Sequence, residues 1–232
     1  MKSDYADKQV GPVLVVLSGG QDSVTCLFWA KQQFSGPIHT ITFDYGQRHR
    51  IEIECAEKLS KKVGAEAHAL IPVSSLAALS SNALTHRDVA VSGSGGMNGL
   101  PSTFVPGRNA LFLTLAAAYA IPKGIKNIVI GTCQTDYSGY PDCRDEFIKS
   151  MQHSLTLAMG APVKIFTPLM YLTKAQTFRL AEKLGVLEEV VKNSHTCYEG
   201  DHTHLHEWGY GCGVCPACEL RRKGYEAFRA GL

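Results

Sequence analysis

Short unbroken runs of apolar residues alternate along this chain with longer stretches in which apolar positions recur every three or four residues. The first run, Pro12 to Leu17, contains Val13-Leu14-Val15-Val16-Leu17. It is uncharged on both faces and rich in β-branched residues, the pattern of a strand buried on both sides. Ile38 to Phe43, Ala67 to Val73, Lys126 to Gly131 and Val163 to Phe166 read as further strands. A helical pattern opens at Asp22, carries Cys26, Leu27 and Trp29-Ala30 inward, and ends near Gly36-Pro37. Ile51, Cys55, Leu59 and Val63 step by four along one helix face, with Glu54–Lys58 and Glu57–Lys61 as i,i+4 pairs outside and Gly64 closing it. Leu111 to Ala120 is apolar nearly all round, as in a core or an interface. Phe147, Met151 and Leu155 mark another helix, and Thr173-Lys174-Ala175-Gln176 has capping-box spacing before one that ends at Gly185. This alternation predicts an α/β fold with a doubly wound, mostly parallel sheet. Residues 74–106 read as mostly irregular, and Ser92 to Gly99 as a loop of the kind that acts as a lid.

Composition narrows the picture. The 232 residues are 45% hydrophobic and 19% charged, enough for one substantial core with a small appendage. We expect residues 1–190 to form the α/β domain and residues 191–232 a metal-binding segment packed on it. A net charge of +2 lends no support to nucleic-acid binding. The polar start Met1-Lys2-Ser3-Asp4-Tyr5 is unlike a secretory leader, and the run at Leu111 to Ala120 is too short to span a membrane. Eight cysteines then point to a reducing, cytoplasmic setting in which thiols bind metal rather than form disulfides.

Candidate chemistry starts where the first strand meets the first helix, at Ser18-Gly19-Gly20-Gln21-Asp22-Ser23. Unpaired amides at a helix N-terminus suit an anion, the glycines let a phosphate approach the backbone, and Ser18 and Ser23 add hydroxyl donors. The bland alternative is an ordinary Ser/Gly turn with a capping side chain. No Gly-Lys-Ser/Thr follows, so this is not a Walker loop. Arg108 and Lys174 each fall at a helix start, where a cation is unfavourable without an anion nearby; the competing reading is a solvated side chain. The polar strings Asp44 to His49 and Asp136 to Arg144 follow predicted strands, where open α/β sheets place ligand contacts. Asp142, Asp145 and Glu146 also suit simple compensation of a helix dipole. Cys212-Gly213-Val214-Cys215-Pro216-Ala217-Cys218, with Cys197 upstream, matches a closed four-thiolate zinc site. An iron–sulfur cluster and a redox CxxC pair are the alternatives, and His202, His204 or His206 is a possible substitute ligand. Cys26, Cys55 and Cys133 read as core residues.

The Ser18 to Ser23 loop resembles the SGGxDS pyrophosphatase loop of the N-type ATP pyrophosphatase (PP-loop) superfamily, whose fold is the adenine nucleotide alpha hydrolase-like one. Phe43 to His49, Thr103 to Asn109, Asp136 to Phe147, Thr167-Pro168-Leu169-Met170 and the four cysteines extend the resemblance, from Val13 to Arg222, to the 7-cyano-7-deazaguanine synthase family. The link from Cys197 to Cys212 looks longer than that family's usual one. The resemblance implies an ATP-dependent carbon–nitrogen ligase of queuosine precursor synthesis. A deazaguanine carboxylate is adenylated, ammonia displaces AMP, and the amide is activated again and dehydrated to the nitrile. It implies ATP with Mg²⁺, one structural Zn²⁺, ammonia, a homodimer, and no direct contact with membrane or nucleic acid. By resemblance, Leu17, Ser18, Gly19, Gly20, Gln21, Asp22, Ser23, Val24, Thr25, Cys26 and Leu27 hold the nucleotide. Asp22 orients the loop or helps hold Mg²⁺; Arg108, Lys174 and Arg221 meet the phosphate charge; and Tyr137, Ser138, Tyr140, Asp142 and Arg144 contact the deazaguanine. Two rival functions remain at this point. A tRNA thiolase of the same superfamily would show sulfur-dependent tRNA modification; a non-catalytic zinc module would show salt-dependent nucleic-acid binding.

Overall fold

The computed structural model describes residues 8–232 except 49, 80–81, 87, 90, 93–98 and 136–138. Five parallel strands, β1 (Val13–Val16), β2 (Ile38–Asp44), β3 (Ala67–Pro72), β4 (Asn127–Val129) and β5 (Lys164–Phe166), form a sheet in the order β3-β2-β1-β4-β5. Central β1 pairs on both sides, Val15 lying opposite Thr40 of β2 and Val129 of β4. The chain runs outward from β1 to β3, then returns past β1 to β4. That reversal opens a crevice at the carboxyl ends of β1 and β4, where such sheets bind ligands.

Alternation along β1 builds two cores. Val13, Val15 and Leu17 pack with Val24 and Leu27 of α1 (Gln21–Gln33), Ala56 and Leu59 of α2 (Ile51–Lys62), Ala181 and Val190. After β3 comes the short α3 (Ser75–Leu79). Leu14 and Val16 face the other side, with Phe112, Leu113 and Ala116 of α4 (Arg108–Ala120) and Ile148 and Leu155 of α5 (Asp145–Met159). Helices therefore cover both faces, which is the doubly wound arrangement. The capping box before α6 (Lys174–Lys183) is present: the Thr173 hydroxyl accepts from the Gln176 amide, and the Gln176 side chain accepts from the Thr173 amide.

The pattern of apolar residues did not announce α7 (Leu187–Asn193), the hairpin β6 (Leu205–His206) and β7 (Gly209–Tyr210), or α8 (Pro216–Arg229). The inward face of α8 consists of Ala217, Cys218, Arg221, Gly224 and Phe228, so its periodicity is masked by an arginine, a cysteine and a glycine. Phe228 and Tyr225 pack on Phe178 of α6, with ring centroids 6.1 and 5.2 Å away. A Cβ at Gly224 would lie 2.4 Å from Cβ of Lys174, so only glycine lets α8 approach the start of α6 this closely. The Gly/Ser run of 92–99 lies largely outside the described residues.

Candidate active site and metal centre

The loop between β1 and α1 has the backbone its glycines predict. Gly19 has φ +90°, and a Cβ there would sit 2.0 Å from the Glu52 carbonyl oxygen, so α2 presses against the loop at a point only glycine tolerates. Ser23 Oγ accepts from the Ser18 and Gly19 amides at 3.2 Å and donates to the Gly20 carbonyl. Ser18 Oγ accepts from the Gly20 amide. The loop forms one wall of a cavity of about 290 Å³ that reaches the ends of β2 and β4 and the starts of α2, α4 and α6.

Lys174 Nζ lies 2.5 Å from Asp22 Oδ2, with both side chains largely buried. The other Asp22 oxygen, Oδ1, is buried without a partner among the described residues, as are Gln21 Nε2 and Thr132 Oγ1. Three orphaned polar atoms lining one cavity fit a polar ligand, since leaving each unpaired costs about 1–3 kcal/mol. The phosphates and Mg²⁺ of a bound nucleotide match this donor set: an amide donor, a hydroxyl and a hard carboxylate oxygen. Of the remaining residues expected to hold nucleotide, Val24, Thr25, Cys26 and Leu27 are buried within α1, where they seat the helix rather than line the cavity.

Arg108 opens α4 and reaches the cavity, its guanidinium 5.8 Å from the Tyr45 ring centroid. Burial works against its charge, but Tyr45, Tyr140 and Asp142 around it more than restore it. Tyr140 also lines the cavity; its hydroxyl is 2.6 Å from Thr103 Oγ1 and its ring packs on Phe104. Tyr137 and Ser138 lie outside the described residues.

Two expected site residues, Asp142 and Arg144, are placed elsewhere. Asp142 accepts from the Asn109 amide at 3.0 Å, so its carboxylate serves the N-terminus of α4, as dipole compensation predicts. Arg144 is exposed and lines a separate shallow depression beside Phe147. Arg221, expected to meet phosphate charge, lies on the wall of the same cavity as the phosphate loop. It is 1% exposed, and its guanidinium donates to the carbonyls of Trp208, Val190 and Val191 and to the Thr196 hydroxyl. Those acceptors take four of its five N–H donors, so Arg221 ties α8 to α7 and β7 at the cavity wall. Cys133 is half-buried at the cavity edge, not in the core, and lies 3.0 Å from the Leu172 carbonyl.

Sequence reasoning missed Glu52, Tyr198 and Thr132, all on the cavity wall. Glu52 opens α2, and burial, opposed by Arg108, pushes its carboxyl up to about 7. Fully buried Ala56, one turn along the same face, was the available signal. Burial likewise holds the Tyr198 phenol above its ordinary value. From the Phe43 to Arg48 string, Phe43 stacks on Phe112 at 4.3 Å, and Arg48 donates to the carbonyls of His86 and Val89, anchoring that stretch.

The four cysteines converge. The sulfurs of Cys197, Cys212, Cys215 and Cys218 all lie within 4.8 Å of one another, two pairs being 3.9 and 4.0 Å apart. A tetrahedron with zinc–sulfur bonds of about 2.3 Å has edges of about 3.8 Å, so the set fits one metal ion. Amides of Cys212 and Cys215 point at the sulfurs of Cys197 and Cys212, at 3.4 and 3.3 Å, and would stabilise thiolate charge. His202 and His206 are occupied otherwise: His202 stacks on Tyr210, and His206 stacks on Trp208 and bonds the Gly211 carbonyl. His204 pairs with Asp201.

A glycine and serine loop at a sheet's switch point, lacking the Walker lysine, marks a doubly wound α/β protein with an anion-binding loop. Within that class the chain belongs to the QueC family: the family model described as queuosine biosynthesis protein QueC matches residues 12–229. It is 51% identical over 238 aligned positions to a 7-cyano-7-deazaguanine synthase of a Bradyrhizobium species, covering 97% of this chain and 98% of that one. Relatives with the same name from Burkholderia multivorans and Nitratidesulfovibrio vulgaris are 48% and 50% identical. They cover 94% and 95% of this chain and 93% and 95% of their own length.

Proposed function

We propose that the chain converts 7-carboxy-7-deazaguanine, ammonia and ATP into 7-cyano-7-deazaguanine, with AMP and pyrophosphate released. The observation that carries this reading is the Asp22–Lys174 pair beside the SGGxDS loop, in one cavity with orphaned polar atoms. The family of synthases to which the chain belongs supplies the substrate.

Each step has a residue basis. A substrate carboxylate oxygen attacks the α-phosphorus of ATP, and the bond to the bridging oxygen breaks. The Ser18 to Ser23 loop binds the departing pyrophosphate, and Lys174 and Arg108 face the negative charge that builds up in the transition state. Mg²⁺, when bound, neutralises charge on the phosphate oxygens, with Asp22 Oδ1 as the residue oxygen to hold it. Ammonia then forms the carbon–nitrogen bond as the carbon–oxygen bond to AMP breaks. The amide oxygen is adenylated in turn with loss of one nitrogen-bound proton, and loss of AMP and of the remaining nitrogen-bound proton leaves the nitrile. Phe43, Tyr45, Phe112, Tyr140 and Tyr198 surround the cavity with rings suited to a flat heterocycle and to keeping water off the adenylates. Tyr137 and Ser138 belong to this reading as substrate contacts.

The four-cysteine centre holds one structural Zn²⁺ in this account. No helix among the described residues is long and apolar enough to cross a membrane. The reading also takes the chain to be a cytoplasmic homodimer using free ammonia, with α4 at the dimer contact. Mass spectrometry of a reaction with ATP, Mg²⁺, ammonium and the carboxylate tests the function. Nitrile with AMP supports it; AMP without nitrile redirects the search to another acid or to tRNA.

A further inference from the structure

Both nitrogen steps release protons, and the residues assigned so far include no group to accept them. Asp22 is paired with Lys174, and Arg108 and Lys174 carry positive charge. Glu52 is different. Its carboxylate is partly buried on the cavity wall, and it makes no hydrogen bond or ion pair among the described residues. One of its oxygens lies 3.8 Å from the position a Cβ on Gly20 would take, so it stands directly over the phosphate loop. Its backbone contact with Gly19 fixes α2 against that loop. β2, which leads into α2, lies on one side of β1, and β5, which leads into α6, lies on the other. Glu52 and Lys174 therefore approach the loop from opposite sides. Arg108 from α4, Tyr45 from the β2–α2 connection, Tyr198 and Cys197 from the C-terminal segment, and Cys55 of α2 are the ionisable groups around it.

We propose that Glu52 is the catalytic base that takes the proton from nitrogen, both when ammonia displaces AMP and when the adenylated amide collapses to the nitrile. The inference rests on the nitrile-forming reading above. In the first step, nitrogen bonds to carbon, the carbon–oxygen bond to AMP breaks, and a proton passes from the former ammonia nitrogen to Glu52. In the second, the nitrogen–hydrogen bond breaks toward Glu52, its electron pair completes the triple bond, and AMP leaves with the carbon–oxygen pair. Between steps Glu52 returns its proton to water. A carboxyl held near 7 by burial suits that cycle at neutral pH.

The test separates adenylation from proton removal. Glu52→Gln keeps size and hydrogen-bonding capacity but cannot take the proton; Glu52→Asp keeps the carboxylate. Acid-dependent exchange of radiolabelled pyrophosphate into ATP reads the first adenylation, and nitrile formation from supplied amide reads the last step. In Glu52→Gln we expect nitrile formation to fall about 10²- to 10⁴-fold, exchange to fall far less, and Glu52→Asp to recover part of the loss. The acid limb of the wild-type pH–rate profile should vanish in Glu52→Gln. Equal losses in exchange and nitrile formation would overturn the proposal, as would a Glu52→Gln nitrile rate within a few-fold of wild type. Metal content and thermal melting of each variant identify one that fails to fold, in which case Glu52→Asp carries the comparison. If wild-type protein makes no nitrile, the functional reading itself fails, a result distinct from either.

Discussion

Removing the charge of Lys174 should damage the protein in two separable ways. Its ammonium is 2.5 Å from Asp22 Oδ2, with side-chain exposures of 15% and 24%. At an effective dielectric constant of about 20, the gross attraction at that distance is about 6–7 kcal/mol. Desolvation of both groups cancels most of it. Deleting one partner of a fully buried pair costs about 3–5 kcal/mol, because the other charge is stranded. Residual water access here brings the expected loss to about 2–3 kcal/mol for Lys174→Met, which strands Asp22 with both oxygens unpaired. Asp22→Asn should also destabilise, by removing the carboxylate that faces Lys174. For a chain of this size that is a fall in Tm of about 5–10 °C. The double variant strands neither charge, so it should lie closer to wild type than the sum of the singles, by about 1–2 kcal/mol. Urea unfolding followed by circular dichroism measures all four proteins. Additivity of the two changes within about 0.5 kcal/mol, or single variants as stable as wild type, would refute the pairing. AMP formation by Lys174→Met should fall about 10²- to 10³-fold through loss of a transition-state cation, and the double variant should not recover it.

Gly19→Ala should lose about 2–4 kcal/mol and most AMP formation, because the new methyl meets a backbone carbonyl at φ +90°; Gly20→Ala, whose Cβ has nothing closer than 3.4 Å, is the milder control in the same assay. Elemental analysis should find about one zinc per chain, Cys215→Ser should lose it and lower Tm, and an iron–sulfur absorption band would contradict the assignment. Glu52 sets a pH dependence of stability. Its carboxyl rises from 4.5 in the unfolded chain to about 7 in the fold, so the stabilisation it provides is complete below pH 4.5 and lost as pH rises through 7. Glu52→Gln should therefore be more stable than wild type at pH 8, by about 2–3 kcal/mol in urea unfolding, and show no such gain at pH 4.5.

The sheet was legible because β1 is an apolar run buried throughout and the other strands each carry apolar residues between turn signals, although edge strand β3 is only half-buried. The phosphate loop was legible because glycine and serine between such a strand and a helix have few other uses. The C-terminal elements were not, because metal coordination and the Arg221 carbonyl network share the packing there with a few apolar residues and put an arginine, a cysteine and a glycine on the inward face of α8. The anchoring of Arg221 was hidden because a sequence counts charges but not acceptors: only the fold reveals three carbonyls aimed at one guanidinium on the cavity wall. The opposite error hid Glu52. An acidic residue in the first turn of an amphipathic helix reads as a solvated dipole partner, until Gly19 shows how closely α2 presses on the loop.

The most direct test of the account counts nucleotides against nitrile. With ammonium and ATP, the carboxylate should yield two AMP per nitrile, and supplied amide should yield one, because each oxygen is removed as an adenylate. A ratio of one from the carboxylate, or nitrile accompanied by ADP instead of AMP, would contradict the central claim that this loop drives two successive adenylations.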